Sequence, residues 1–185
     1  MIVSAHDGYP RHLNSGADFI EVDVRRDAGG VIVLAHDELA AGRVYPTFDE
    51  LLRALPDGVG LHLDLKEKGF ELELMSRAPE KVVVTPDFIE SAEVIKRHHP
   101  QVRVSPVDFV TLDQRYVNER TLKSSAKPVW VWTVDDERLM ERLMSDQRVE
   151  AIITNRPDIA LRLRSARSGC PSGSRTRRGR ASSGG

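Results

Sequence analysis

Short runs rich in valine and isoleucine alternate along the chain with segments in which apolar residues recur at helical spacing. This alternation is typical of strand-helix units that close onto a parallel sheet. We place eight predicted strands at residues 2–6, 19–25, 61–66, 81–85, 102–106, 109–113, 129–134 and 151–154.

Helix start signals lie between several of these strands. Thr47 and Glu50 have the spacing of a capping box, in which side chain and backbone of the two residues bond reciprocally. Thr85 followed by Pro86 predicts a cap with proline at the first helical position. From residue 135 the sequence DDERLMERLMSD repeats apolar residues on one helical face, wide enough to cover a sheet.

Eight strands with intervening helices predict an α/β fold, a compact (β/α)8 barrel of the TIM type, over residues 1–163. Such barrels usually need about 250 residues, or about 200 at the short end. Only 12 residues separate His6 from Phe19, and their sequence DGYPRHLNSGAD has no helical stripe. We therefore expect a reduced or missing first helix, and no helix in the short link near Val107.

The remaining residues, 164–185, are mostly Ser, Gly and Arg, and we predict a disordered tail because they offer little to bury. An arginine-rich tail is compatible with contact to RNA or anionic lipid, although a solvated extension is the simpler explanation. The single cysteine, Cys170, lies in this tail. A disulfide framework or a cysteine-based zinc site is therefore excluded.

Charge separates the two parts of the chain. Of 27 basic side chains, seven arginines lie in 162–185, where no acid occurs, so residues 1–161 carry 28 acids and a formal charge of −8. This balance argues against nucleic acid as a partner of the folded part. The opening MIVSAH lacks signal-peptide features, and no run approaches the roughly 18 apolar residues that span a bilayer. We expect a cytoplasmic protein without stable membrane insertion, and a shortened barrel is compatible with a homo-oligomer.

Carboxylates interrupt the strands that look most suited to a core. Side chains alternate across a strand, so in residues 19–25 Glu21, Asp23 and Arg25 lie on the face opposite the Ile and Val side chains. In residues 61–66, Asp64 and Lys66 lie in the same way opposite the leucines. If the apolar set faces the helices, the acids face the barrel axis, where an unpaired carboxylate is costly. Three converging acids predict a site for one divalent cation, Mg²⁺ or Ca²⁺. An internal salt-bridge network with the two basic residues satisfies the same pattern.

Two histidines favour the metal-site interpretation. His6 ends the first strand, on the barrel rim where such enzymes place their chemistry, and His36 ends the hairpin that follows the Glu21 strand. Together with the acids they form a candidate acid-base pair. His62 has inward parity but lies deeper, so we predict that it fills the core, and the other three histidines are weaker candidates.

Six segments resemble, in order, motifs of the glycerophosphodiester phosphodiesterase family. They are AHDG, GADFIEVDV, GGVIVLAHD, LHLDLK, KPVWVWTVDD and VEAIITNRPDIALRL, and they extend discontinuously over residues 2–163. The resemblance implies a (β/α)8 barrel that uses a divalent cation to hydrolyse glycerophosphodiesters to sn-glycerol 3-phosphate and an alcohol. On matching positions it implies metal ligands Glu21, Asp23 and Asp64, acid-base residues His6 and His36, a phosphate contact from Lys66, and an apolar wall from Trp132.

The chain departs from the family at three points and so resembles a shortened, divergent member. Asp7 stands where the family has an arginine beside the first histidine. A side chain that donates hydrogen bonds to phosphate is thereby replaced by a carboxylate that repels phosphate. Asp64 stands where the family usually has Glu, and the first helix is lost. Trp130 and Trp132 share one face, so core packing and ligand contact both remain open.

These departures leave two alternatives. One is a catalytically impaired barrel that binds metal or a phosphate ligand without turnover. The other is a lysophospholipase D-like enzyme acting at membranes, which requires an exposed apolar rim that the sequence does not visibly supply.

Overall fold

The structure, a computed structural model, describes residues 1–168. Its strands are β1 (Ile2–Ala5), β2 (Phe19–Arg26), β3 (Ile32–Leu34), β4 (Gly60–Leu65), β5 (Val82–Pro86), β6 (Arg103–Val104), β7 (Val110–Asp113), β8 (Val129–Trp132) and β9 (Val149–Thr154). Its helices are α1 (Phe48–Ala54), α2 (Glu71–Arg77), α3 (Ile89–His98), α4 (Glu119–Ser124), α5 (Glu137–Met144) and α6 (Pro157–Ser168), with a 3₁₀ turn at Gln114–Tyr116.

One curled sheet organises the fold, with strand order β6-β5-β4-β2-β1-β9-β8-β7. Each neighbouring pair in this order is parallel, and β3 adds to β2 as an antiparallel hairpin strand. Within residues 1–168, the two end strands β6 and β7 do not pair with each other, so the sheet is an open TIM-type barrel. Turns replace a helix between β1 and β2, and the link from β6 to β7 has none, as predicted.

Strand parity divides the apolar side chains into two clusters. The outward residues of β2 and β4 pack beneath the helices, which confirms the prediction for this face. The inward cluster centres on Trp130, whose ring lies 4.7 Å from Phe109 and 5.2 Å from His62. Its indole donates to Glu150 Oε2 at 2.7 Å. Trp130 therefore fills the barrel interior, and the strand ends that carry the acids lie above it.

Helix starts agree with the sequence where capping is local. Glu50 N donates to Thr47 Oγ1 at 3.2 Å and Thr47 N donates to Glu50 Oε2 at 2.7 Å, so the predicted capping box is formed. The start predicted at Pro86 is wrong. Pro86 pairs with Leu65 in the sheet, and α3 begins only at Ile89. Pairing with β4 extends β5 through the predicted helix start.

The predicted boundary after residue 163 is also early, because α6 continues to Ser168. Leu163 is buried, and the Arg164 guanidinium donates to Met1 O at 3.2 Å and to the Asp18 carboxylate. These contacts join the last helix to the first strand, and composition alone does not reveal them. The prediction of disorder for 169–185 and the position of Cys170 lie outside the described residues.

Gly60 marks a close approach at the start of β4. A Cβ atom there would lie 2.5 Å from Phe19 Cε1 and 2.9 Å from Lys81 Cγ. We expect Gly60→Ala to lower the free energy of unfolding by about 1–3 kcal/mol, measured as a reduced urea midpoint. The control is Gly29→Ala, in the exposed hairpin turn, where we expect a change within about 0.5 kcal/mol. Equal midpoints for the two variants would contradict the steric account.

Candidate metal and active site

Three acids meet at the carboxyl ends of β2 and β4. Glu21, Asp23 and Asp64 each present one ligand oxygen, and these atoms all lie within 4.8 Å of one another. The convergence follows from register, because Asp23 pairs directly with Asp64 across the two strands. Glu21 and Asp23 are buried. The predicted meeting of the three acids at one place is therefore present.

The cluster is only partly neutralised. Lys66 Nζ lies 3.0 Å from Asp23 Oδ1 and 2.9 Å from Asp64 Oδ2, and Glu21 Oε2 accepts a 2.8 Å hydrogen bond from Asp7 N. Asp64 Oδ1 is buried and has no hydrogen-bond partner among the described residues. Arg25 contributes no charge to the cluster, because its guanidinium pairs with Glu67 at 2.8 Å. Of the two basic residues in the predicted salt-bridge network, Lys66 pairs with the acids and Arg25 does not.

Burial and mutual repulsion dominate the electrostatics of the cluster. Burial, followed by the charge of Asp23, raises the pKa of Glu21 well above its usual value. Burial raises the pKa of Asp64 to about 6. For Lys66, burial lowers the pKa, but Asp64 and Asp23 outweigh burial and raise it.

This donor set fits a divalent cation. One ammonium does not balance three carboxylates, and the bare Asp64 oxygen lacks a partner. Hard carboxylate oxygens are the ligands that Mg²⁺ and Ca²⁺ prefer. Glu21, Asp23 and Asp64 could therefore hold such an ion.

His6 is held by a hydrogen-bonded chain from the end of β9. Its Nδ1 lies 2.9 Å from Asn155 Oδ1, while Asn155 Nδ2 donates to Asp135 Oδ2 at 2.8 Å. Because Asp135 accepts from the amide nitrogen, the amide oxygen must face His6, so Nδ1 carries the proton. A neutral His6 then has Nε2 free to accept a proton. No pattern in the sequence singles out Asn155 or Asp135, although both directly follow predicted strands at the same rim.

His36 has a different support. Its Nδ1 lies 2.9 Å from Asp37 Oδ1, and its carbonyl accepts from Arg25 Nη2 at 3.0 Å. The hydrogen bond from His36 lowers the pKa of Asp37, which is therefore ionised at neutral pH. The side chain of His36 is 73% exposed, so substrate and solvent can reach the ring.

A cavity of about 290 Å³ brings these groups together. His6, His36, the three acids, Lys66 and Trp132 all line it. Trp132 is 41% exposed. The two tryptophans on one face of β8 are thus separated by depth, since Trp130 packs in the barrel interior and Trp132 lines the cavity.

His62 lies deeper in the same cavity wall and is buried. Its Nε2 lies 2.9 Å from Thr85 Oγ1 and its Nδ1 lies 3.3 Å from Ser4 Oγ. Burial lowers the pKa of His62 to about 3, so the ring is neutral at physiological pH. This placement agrees with the predicted core-filling role.

Several exposed apolar side chains lie at the mouth of the barrel. Phe88, Ile89, Tyr116 and Trp132 end or follow strands at the carboxyl side of the sheet, and all are substantially exposed. This apolar rim was not visible in the sequence, because the residues come from separate loops. In residues 1–168 no helix has the length and apolar character needed to cross a membrane.

Metal affinity is expected to depend on pH. Because the pKa of Asp64 is about 6, a proton must be displaced from it below that pH before an ion can bind. We expect Mg²⁺ affinity to fall by at least about tenfold per pH unit below 6, because Glu21, whose pKa is also raised, must lose its proton as well. Calorimetric titration at pH 5, 6, 7 and 8 at constant ionic strength measures this dependence. Equal affinity at pH 5 and pH 7 would contradict it.

Comparisons with known proteins give a match at the level of structure. No family model matches the chain, and no curated protein matches it. Among solved structures, a glycerophosphodiester phosphodiesterase from Parabacteroides distasonis aligns with TM-score 0.75 and 19% identity, covering 90% of this chain and 98% of that one. One from Agrobacterium tumefaciens aligns with TM-score 0.70 and 17% identity, covering 89% and 99%.

A third structure, an Oleispira antarctica phosphodiesterase in complex with the product sn-glycerol-3-phosphate, aligns with TM-score 0.74 and 16% identity. It covers 89% of this chain and 97% of that one. The chain therefore has the TIM-type fold of the glycerophosphodiester phosphodiesterases, which confirms the resemblance at the level of the fold.

Proposed function

We propose that the chain is a divergent glycerophosphodiester phosphodiesterase that hydrolyses glycerophosphodiesters to sn-glycerol 3-phosphate and an alcohol, with a divalent cation held by Glu21, Asp23 and Asp64. The convergence of these three carboxylates within 4.8 Å, in a cavity that His6 and His36 also line, is the observation that carries the proposal. The shared fold and the family motifs support it.

A cation on the three acids would neutralise charge on the phosphoryl oxygens, which otherwise repel a nucleophile. The hydrogen-bond partners of the two histidines suggest their roles. His6 faces a neutral amide, so it is suited to be the base that accepts a proton at Nε2 from the nucleophile, either water or the glycerol hydroxyl of the substrate, as the nucleophilic oxygen bonds to phosphorus. The Asp37 carboxylate lies 2.9 Å from His36 Nδ1 and orients the ring, so His36 is suited to donate a proton to the alkoxide as the bond from phosphorus to the alcohol oxygen breaks.

Lys66 and Trp132 complete the proposed site. The Lys66 ammonium is paired with two of the acids and lines the cavity, so an ion on those acids would free it for the phosphoryl oxygens. The Trp132 ring offers the glycerol carbons an apolar wall.

The proposal is tested by assaying glycerophosphocholine and glycerophosphoglycerol with Mg²⁺, with Ca²⁺ and with EDTA. We expect release of sn-glycerol 3-phosphate that requires an added cation. Hydrolysis that persists in EDTA would overturn the role of the ion. Metal binding without turnover of any diester would instead support the impaired barrel, for which Asp7 is the main argument.

The apolar rim gives one observation in favour of the lysophospholipase D-like alternative. Lysophosphatidylcholine, added to the same assay as mixed micelles, separates the two activities. Faster hydrolysis of this lipid than of glycerophosphocholine would favour a membrane-surface substrate, whereas the proposed function predicts the reverse order.

A further inference from the structure

A second cavity, of about 550 Å³, adjoins the candidate active site. It shares His6, Asp23 and His36 with the first cavity, so a group attached to a phosphate bound there can extend into it. The walls found only in the second cavity include two acids, two tyrosines and one arginine, which are Asp7, Asp37, Tyr9, Tyr45 and Arg43.

Asp7 is held firmly at the junction of the two cavities. Its backbone N–H donates to Glu21 Oε2 at 2.8 Å, and Gly8 N donates to Glu21 O at 3.0 Å. Its φ of 44° is left-handed, a conformation that Asp and Asn tolerate better than most residues. The Asp7 carboxylate is exposed and forms no ion pair within residues 1–168. Its charge is therefore available to a ligand.

Three carboxylates line the second cavity, and of these only that of Asp7 lacks an ion-pair partner among residues 1–168. Asp37 lies beside His36, and Asp23 is paired with Lys66. The one cation found only in this cavity is Arg43, whose guanidinium lies 5.0 Å from the centre of the Tyr45 ring. Tyr9 contributes a second aromatic side chain, which is partly buried against the core. Carboxylates beside aromatic rings form a suitable environment for an organic ammonium group.

We infer that this second cavity receives the alcohol portion of the diester and that Asp7 selects alcohols that carry a positive charge, namely amino alcohols such as choline or ethanolamine. The inference rests on the proposed function and names its substrate class. Asp7 repels the phosphate of any diester, but it attracts the ammonium of a zwitterionic one. The residue that departs from the family motif thereby acquires a specificity role.

The test compares kcat/KM for glycerophosphocholine and for glycerophosphoglycerol, whose alcohol is neutral. We expect the wild type to prefer the choline diester, and Asp7→Asn to reduce this ratio by about five- to tenfold, as expected for loss of a contact to an organic cation. Asn preserves the left-handed backbone, and Asp7→Lys should reverse the preference. Asp57→Asn, at an exposed turn outside both cavities, is the matched control and should keep the wild-type ratio.

Choline binding followed by NMR separates failure of this inference from failure of the proposed function. If the wild type hydrolyses neither diester, the proposed function fails. The ammonium site is still supported in that case if Asp7→Asn weakens choline binding and Asp57→Asn does not. Equal kcat/KM ratios for the wild type and Asp7→Asn would overturn the inference. A preference for a diester with an anionic alcohol, lost in Arg43→Gln, would also overturn it and assign selection to Arg43.

Discussion

Replacing His6 or His36 with alanine is expected to lower kcat for glycerophosphodiester hydrolysis by about 10²- to 10⁴-fold, the usual contribution of one positioned acid or base. Each ring lines the cavity beside the three acids, and each has a hydrogen-bond partner that fixes its Nδ1 side. KM should change far less than kcat, because the lost interaction is made mainly in the transition state.

His98→Ala provides the matched control for these variants. His98 is exposed at the end of α3, outside both cavities, and its removal should leave kcat within about twofold of wild type. Activity of His6→Ala or His36→Ala equal to that of His98→Ala would show that the ring in question transfers no proton.

Lys66→Met is expected to destabilise the metal-free protein by about 3–5 kcal/mol, because it leaves the buried Asp23 carboxylate and the partly buried Asp64 carboxylate without their cation. The Lys66 side chain is 11% exposed and its ammonium touches Asp23 and Asp64. For a chain of this size the melting temperature should fall by about 10 °C at pH 8, where Asp64 is ionised. Added Mg²⁺ should recover much of the loss, since an ion replaces the missing positive charge.

The control is Lys68→Met, whose ammonium lies 3.6 Å from Glu90 in an exposed pair and should change stability by at most about 1 kcal/mol. A melting temperature of Lys66→Met close to that of Lys68→Met would show that the lysine does not balance the acids. Recovery by Mg²⁺ that is no larger than in the wild type would indicate that the ion binds elsewhere.

Strand alternation is the reason why the acid cluster could be predicted from the sequence. Side-chain direction along a strand is a local property with period two, so the parity of Glu21, Asp23 and Asp64 followed once the apolar face was assigned. The lost first helix was predictable for a similar reason, because 12 residues between His6 and Phe19 leave no room for one. The hairpin position of His36 also follows from its neighbours in sequence.

Contacts between distant segments were not predictable in the same way. The support of His6 by Asn155 joins the first strand to the last, and no local pattern indicates it. The extension of α6 depends on Arg164 meeting Asp18, and the late start of α3 depends on Pro86 pairing with Leu65. Each of these features is set by the assembled sheet.

Depth along the barrel axis was the other missing quantity. Parity puts Trp130 and Trp132 on one face, and only their height in the sheet assigns one to the interior and the other to the cavity. The same limit applied to the salt-bridge alternative, since parity could not show that Arg25 reaches Glu67 while Lys66 turns to the acids.

Calorimetric titration of the metal-free protein with Mn²⁺ at pH 8, for the wild type and for Asp64→Asn, measures whether the three carboxylates form one ion site. We expect one ion per chain in the wild type and an affinity at least about tenfold lower in Asp64→Asn, with both proteins folded by circular dichroism. Failure of the wild type to bind, or equal affinity in the two proteins, would contradict the assignment of Glu21, Asp23 and Asp64 as ligands.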